Sequence, residues 1–317
     1  MKISDIVALN LWPQSKKTTS QKGITQLEEL GYNLFYIGKN ADLYTCPGNE
    51  PKVLLVRSDR CSVFDIPLNL EIEGKGVSQT AISNNGAKFA KEAGIRTAIL
   101  SETVDPSLSV APRCQLMELC KPLEAQIDGE TVQFELIFRN YLTGSLYDAC
   151  QNGNDPYGLN LPSNLPQWYK FETPIFTPTT KGIKDEPLNS DKVRETFPEI
   201  VSSLEKLFKE FTQFAQDNGI IVVDTKFEIF VNSKGEWVLG DEVLTPESSR
   251  FIAKEDFDAG NYISMDKQIL RDFGKANHWK EQSKALKPGQ KLDVDVPQSI
   301  KDKILNGYLT ILNRLSK

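Results

Sequence analysis

The sequence is short of the residues on which much enzyme chemistry relies. Among 317 residues there is one histidine, His278, in a polar stretch, KANHWKEQSK, that reads as surface. Catalysis through a Ser–His or Cys–His pair would have to run through that single side chain. Cysteine is scarce too. Cys46, Cys61, Cys114, Cys120 and Cys150 are odd in number, widely spread and contain no CxxC, which argues against a disulfide framework or a zinc site and for reduced thiols in a cytosol. No hydrophobic run approaches a membrane span, and the opening MKISDIVALNLWPQSKK lacks the apolar stretch of a signal peptide. A basic excess is also missing: 43 acidic residues against 37 basic ones leave a net charge of -6, the wrong sign for a general nucleic-acid binder. Chemistry is left to carboxylates, lysines, arginines and a metal, in a chain expected to be cytoplasmic and without nucleic-acid or membrane partners.

What is present is an ordinary globular composition, 39% hydrophobic and 25% charged, in a chain long enough for two domains. Between residues 31 and 66 the runs LFYI, LYTC, VLLVRS and SVFDI, broken by Gly, Pro and Asn, predict antiparallel strands. Residues 84–94 predict a helix stopped by glycine. Strand signals resume near 110, and Asp128-Gly129 predicts a two-residue hairpin. Residues 151–193 lack periodicity and are rich in Pro, Asn and Gly, the composition of a functional or disordered loop. The clearest helix is 199–218, with Ile200, Leu204, Leu207, Phe208, Phe211 and Phe214 on one stripe, and a second runs near 298–316. The order predicts an α+β fold: a smaller β-rich N-terminal domain, 1–120, and a larger α+β domain, 121–317, ending in helices.

Four constellations could carry chemistry. In VVDTKFEIFVNSKGEWVLGDE, Asp224, Lys226 and Glu228 alternate with Thr225, Phe227 and Ile229, so the three charges share one face of a strand. With NSKG as a four-residue loop and Val231 paired with Glu236, Lys226 would lie opposite Asp241 with Glu228 diagonal to it. Such hard oxygen ligands suit a phosphate-bound Mg²⁺, and they equally suit a solvated hairpin face with cross-strand ion pairs. In FRNYLTGSLYDAC, strand alternation ends near Arg139 and Ser145 takes an N-cap position, an arrangement that serves as an anion site or as a plain cap. Lys267 and Arg271 fall on one face of a helix and could join Arg250 in a basic cluster, or form a solvated charged face. In YIGKNADLY, Gly38-Lys39 turn between two strands, able to lay amides and a lysine over nucleotide phosphates, or simply to turn.

Taken in order, GKNADLY, RSDRCSVFD, FRNYLTGS, PIFTPTTK, VVDTKFE, GDEVLTPESSRF and DKQILRD resemble the SAICAR synthase (phosphoribosylaminoimidazole-succinocarboxamide synthase) family over about residues 38–272. The resemblance implies the family's fold, a small antiparallel β-rich N-terminal domain over a larger one with ATP in the cleft between. It implies an ATP- and Mg²⁺-dependent carbon–nitrogen ligase of purine biosynthesis. ATP phosphorylates the carboxylate of the imidazole ribotide CAIR, and the amine of L-aspartate displaces the phosphate to give SAICAR, ADP and phosphate. Residue by residue, it places Gly38 and Lys39 on the ATP phosphates and Glu228 and Asp241 at the metal, with Lys226 beside the transferring phosphate. Arg139 and Ser145 would hold the ribotide, and Arg250, Lys267 and Arg271 would complete the anionic-substrate pocket. Asp59, Arg60 and Ser62 would line the substrate side, with Lys181 in a mobile loop. The chain departs from the family pattern at Ala41, where a second basic residue is usual, and in DTKFEIF, where the family has glycine after DxKxEF. These departures leave open a relative with another amine or carboxylate substrate, or a nucleotide-binding paralogue without turnover.

Overall fold

The computed structural model describes residues 21–49, 51–64, 66–182, 185–287 and 289–316. It divides into two compact units that are discontinuous in sequence. One comprises the described residues up to Asn85, Ala98–Leu119 and those from Ser264 onward; the other comprises Gly86–Thr97 and Cys120–Ile263.

In the first unit, β1 (Asn33–Ile37), β2 (Ala41–Thr45) and β3 (Lys52–Arg57) form an antiparallel meander, as the alternating runs predict. β4 (Arg60–Val63) and β5 (Ile66–Glu71) make a separate hairpin, and β6 (Cys114–Glu118) returns to pair with β3. Tyr44, Leu54, Val56 and Leu116 form a core with Leu27 from the helix Gln21–Glu29. The helix expected over 84–94 starts much earlier, spanning Lys75–Glu92. Its first turns escape pattern reading because the face they bury is polar, with Gln79, Thr80 and Ser83 all inside. Gly76 makes that packing possible: a Cβ there would lie 2.8 Å from the carbonyl oxygen of Arg57 and 2.9 Å from that of Ser58.

The C-terminal residues, expected with the second domain, belong to the first unit. Leu292 exchanges backbone hydrogen bonds of 2.8 Å with Pro67 and Asn69 along β5, and Lys267 Nζ lies 3.5 Å from Ser62 Oγ on β4. The last helix, Gln298–Leu315, carries Ile304, Tyr308, Ile311 and Leu315 inward, as its stripe predicts.

The second unit is built on one antiparallel sheet. β7 (Lys121–Pro122), β8 (Glu124–Ile127) and β9 (Glu130–Tyr141) open it, and the β8–β9 hairpin turns at Asp128 and Gly129 with φ of 53° and 89°, the left-handed pair an Asp-Gly turn provides. β10 (Lys170–Phe176) and β11 (Thr179–Thr180) lie beside β9, within the stretch that shows no periodicity. Pro174 and a register shift between Lys170 and Ile175 hide β10, and only a strand at the sheet's end accepts both. β12 (Ile220–Val231) pairs with β9 along one side and with β13 (Trp237–Gly240) and β14 (Ser249–Ala253) in turn along the other. The helix Pro198–Asp217 covers one face of this sheet. Phe208 stacks on Phe138 at 6.0 Å, and Phe138 meets Phe176 and Phe227 at 5.0 and 6.1 Å.

Gly307 offers a test of this packing in the first unit. A Cβ there would lie 2.5 Å from the carbonyl oxygen of Met265. Overpacking costs about 1–3 kcal/mol, whereas alanine gains about 1 kcal/mol over glycine inside a helix. Gly307→Ala should therefore lower stability, by up to about 2 kcal/mol in urea unfolding; a variant more stable than the parent would contradict the close approach.

Candidate active site

β12 sorts its side chains by parity. Thr225 and Phe227 turn into the core, fully buried, while Asp224, Lys226 and Glu228 share the other face. The β9 register sets Glu228 directly opposite Glu135, Lys226 opposite Ile137 and Asp224 opposite Arg139. Glu228 and Glu135, 5% and 8% exposed, would repel one another if left alone. Lys226 prevents this, its Nζ donating to Glu135 Oε1 at 2.6 Å and Glu228 Oε1 at 2.9 Å. Lys181 donates to the second oxygen of Glu228, and its own backbone N–H donates to Gln133 at 2.8 Å, which fixes its place along β9.

Burial draws the Lys226 ammonium down, but the carboxylates of Glu135, Asp241 and Asp185 outweigh it and hold the group above its ordinary value. Lys181 goes the other way. Burial dominates there and Lys226 adds to it, so that Asp241 and Glu135 only partly offset the fall. One lysine is a firm cation; its neighbour gives up its proton more readily.

The hairpin after β12 corrects the expected register by one residue. Val231 pairs with Trp237 and Glu228 with Gly240, because the loop is the three residues Ser233, Lys234 and Gly235. Asn232 Oδ1 accepts from the N–H groups of Lys234 and Glu236, both at 3.0 Å, and Gly235 takes φ of 80°. A slip of one would normally send Asp241 to the opposite face. It does not, because Asp241 lies just past the strand end with φ of 55°, and its carboxylate still acts on both Lys181 and Lys226.

Farther along the same face lies an arginine pair. Asp224 Oδ2 accepts from Arg139 Nη1 at 2.8 Å, and Asp224 Oδ1 accepts from Arg250 Nε at 2.9 Å. A β-bulge creates this arrangement: the β14 register shifts between Val222 and Asp224, which brings Arg250, not Ser249, opposite Asp224. Arg139 also donates from Nε to Thr177 Oγ1 at 2.9 Å and contacts the Tyr157 hydroxyl. Burial pulls the Arg139 guanidinium down from its ordinary value, Asp224 opposes that fall and Arg250 adds to it. Beside this pair the helix Gly144–Gln151 begins. Its N-cap is Thr143, so Ser145, the expected cap, lies two residues past it, exposed in the first turn. The chain leaves β9 through Gly144 at φ of 62°, whose missing Cβ would sit 3.3 Å from Arg250 Nη1.

The remaining predicted residues belong to the first unit, where the Asp59 segment acquires definite structural tasks. Arg60 is buried and donates to the Gly38 carbonyl at 2.8 Å and to Asp42 Oδ1 at 2.6 Å. Ser58 donates from both N–H and hydroxyl to the Asn40 carbonyl, at 2.8 and 2.7 Å. The Gly38–Lys39 turn, closed by Gly38 N–H donating to Ala41 at 2.8 Å, is thus held from beneath. Asp59 accepts from Arg113 at 2.6 Å and from the Gly76 N–H at 2.9 Å, tying down the start of the Lys75–Glu92 helix. Lys267 directly precedes the helix Gln268–Ala276 that carries Arg271. His278 is exposed.

The alternation in β12 puts Asp224 on the charged face without giving it a task, and Glu135, Thr177 and Tyr157 are not among the expected site residues. Glu135 was within reach, since it shares parity with Arg139 on a predicted strand. Thr177 and Tyr157 lie in the aperiodic stretch, where no pattern marks them.

The SAICAR synthetase family matches residues 34–286 of this chain. The phosphoribosylaminoimidazole-succinocarboxamide synthase of Desulfotalea psychrophila is 34% identical over 264 residues, covering 78% of this chain and 85% of that protein. The Neisseria meningitidis serogroup A protein of the same name is 33% identical over 298 residues, covering 91% of this chain and 100% of that one. Among solved structures, SAICAR synthase from Saccharomyces cerevisiae complexed with SAICAR superposes with a TM-score of 0.71 at 27% identity, covering 95% of this chain and 98% of that one.

The raised Lys226 gives the cluster a pH signature. A lysine held above its unfolded value contributes fully below about 10.4, and the contribution is lost as pH rises through the folded value. The stability gap between the parent and Lys226→Met should stay constant from pH 8 to about pH 10 and narrow above it. Urea midpoints across that range measure it; a gap already closing at pH 8 would contradict the assignment.

Proposed function

The chain belongs to the SAICAR synthetase family, and on that premise we propose that the charged face of β12 and the arginine pair beside it serve the family's ligation. It is an ATP-dependent ligase that joins L-aspartate to the carboxylate of CAIR, giving SAICAR, ADP and phosphate in purine biosynthesis. The observation that carries the site reading is the row Asp224, Lys226 and Glu228, its two carboxylates buried, its lysine half-buried between them and each of the three ion-paired, within the segment that also carries the family wording.

The residues present fit magnesium. Four carboxylates, Glu135, Glu228, Asp241 and Asp185, act on the two ammonium groups of Lys181 and Lys226, leaving an excess of two negative charges, the charge one divalent cation neutralises. Among the described residues no three His, Cys, Asp or Glu side chains are grouped to hold a metal ion; magnesium held through nucleotide phosphates takes only one or two carboxylates from a protein. Glu228 and Asp241 would hold it. When bound, it offsets negative charge on the phosphates as the γ-phosphoryl group moves.

In this reading Lys226 stays protonated beside the transferring phosphate and draws off developing charge, a task its raised pKa suits. Glu135 holds that ammonium in place. Gly38 and Lys39 cover the ATP phosphates, in a turn whose carbonyls are already engaged by Arg60 and Ser58. Arg139, Ser145 and Arg250 hold the ribotide, with Lys267 and Arg271 on the remaining anionic groups. Asp59, Arg60 and Ser62 shape the substrate side from behind. The enzyme would work in the cytoplasm on small molecules alone; no helix among the described residues is long and apolar enough to cross a membrane.

ADP release from ATP, Mg²⁺, CAIR and L-aspartate, with each component omitted in turn, tests the reaction: product should form only in the complete mixture. Glu228→Gln should abolish turnover while the far-UV spectrum stays that of the parent, and near-normal rates in that variant would overturn the metal assignment. Lys39→Met should raise KM for ATP by about tenfold, equal to roughly 1.4 kcal/mol, and leave KM for L-aspartate unchanged.

A further inference from the structure

Two guanidinium groups on strands that flank the same neighbour repel one another and have no intrinsic reason to share a plane or a spacing. Here they are held by one carboxylate. Asp224, 7% exposed, accepts from Arg250 Nε at 2.9 Å on one oxygen and 3.1 Å on the other, from Arg250 Nη2, and from Arg139 Nη1 at 2.8 Å. The bulge at Val223 shifts the register so that Arg250 lies opposite this carboxylate. Thr177 and Tyr157 take further positions on Arg139, and Gly144, with no side chain, leaves room for the Arg250 guanidinium beside the start of the Gly144–Gln151 helix.

We propose that Asp224 is a positioning residue for ribotide binding: it sets the spacing and planes of Arg139 and Arg250 so that both address the phosphate ester of the substrate next to the Gly144 turn. The proposal rests on the assignment of Arg139, Ser145 and Arg250 to the ribotide. Its force lies in a difference of sign. Considered only as a charge, Asp224 repels an anionic substrate, and neutralising it would tighten binding. Considered as the clamp between two like charges, its loss lets the guanidiniums separate and weakens binding, since a bidentate contact depends on orientation.

The experiment compares Asp224→Asn with Asp224→Glu, and both with Arg250→Met, in steady-state kinetics on the whole enzyme. Asp224→Asn should raise KM for CAIR by about tenfold or more, with KM for ATP and kcat within about threefold of the parent. Asp224→Glu, which keeps the charge but changes its reach, should recover part of that loss. Inorganic phosphate, used as a competitive inhibitor against CAIR, should weaken in parallel. A KM for CAIR in Asp224→Asn that is unchanged or lower would overturn the proposal, as would KM values for CAIR and ATP rising together. If Asp224→Asn does not fold, Asp224→Glu carries the same decision: a rise selective for CAIR supports the clamp, and no selective rise sinks it. Arg250→Met separates the two layers of the argument. If it leaves KM for CAIR unaltered, the ribotide assignment itself fails; if it raises that KM while Asp224→Asn does not, only the role of Asp224 fails.

Discussion

A charge buried on a sheet has to be neutralised by its own strand or by the strands beside it, and β12 carries two, Asp224 and Glu228, with the half-buried Lys226 between them. Two of that strand's neighbours, β9 and β14, and the segment after β11 meet this requirement. β9 supplies Glu135 and Arg139 at the register positions that face Glu228 and Asp224, β14 supplies Arg250 through a bulge, and the residues after β11 supply Lys181. Removing one partner from such a pair typically costs about 3–5 kcal/mol, because the other is left buried and unpaired. The face is therefore fixed as a unit, with its charges held in place before any substrate arrives. That pre-arrangement is what electrostatic catalysis of phosphoryl transfer demands.

The Gly38–Lys39 turn is held by a different device. Its shape comes from side chains outside it, Arg60 and Ser58, which take the Gly38 and Asn40 carbonyl oxygens, and from the Asp42 carboxylate buried under Arg60. The SDRCS wording, which gives no individual roles by resemblance alone, becomes intelligible once these bonds are seen: Asp59 anchors a helix start, Arg60 a turn, and Ser62 lies beside Lys267.

Much of this was legible in the sequence where a period or a turn residue enforces it. The alternation of Asp224, Lys226 and Glu228, the stripe of the Pro198–Asp217 helix and the Asp128-Gly129 hairpin all follow from local rules, and each is present. What stayed hidden was set by contacts distant in sequence. The early half of the Lys75–Glu92 helix buries polar side chains, so no hydrophobic stripe announces it. The bulge at Val223 that presents Arg250 leaves no mark in IIVVDT. The one-residue error in the β12–β13 register arose from the loop, where the Asn232 side chain captures two N–H groups and shortens the turn to three residues. Even so the charged cluster was anticipated, because the left-handed Asp241 restores what the slip would have removed. The C-terminal segment was assigned to the wrong neighbourhood for a similar reason: its bonds along β5 link residues more than two hundred positions apart.

That last linkage bears on the order in which the molecule can be built. The unit that carries β12 has all its residues once Ile263 has been made. The unit that begins the chain does not, since β5 waits for Leu292 to pair with it and the polar helix start near Gly74 waits for Leu305, 3.5 Å from where a Cβ on that glycine would stand. On a ribosome, where units usually mature in the order they emerge, this chain reverses the sequence. The β4–β5 hairpin is made long before its last contacts, and until Leu292 emerges the edge of β5 is open to whatever else can pair with it.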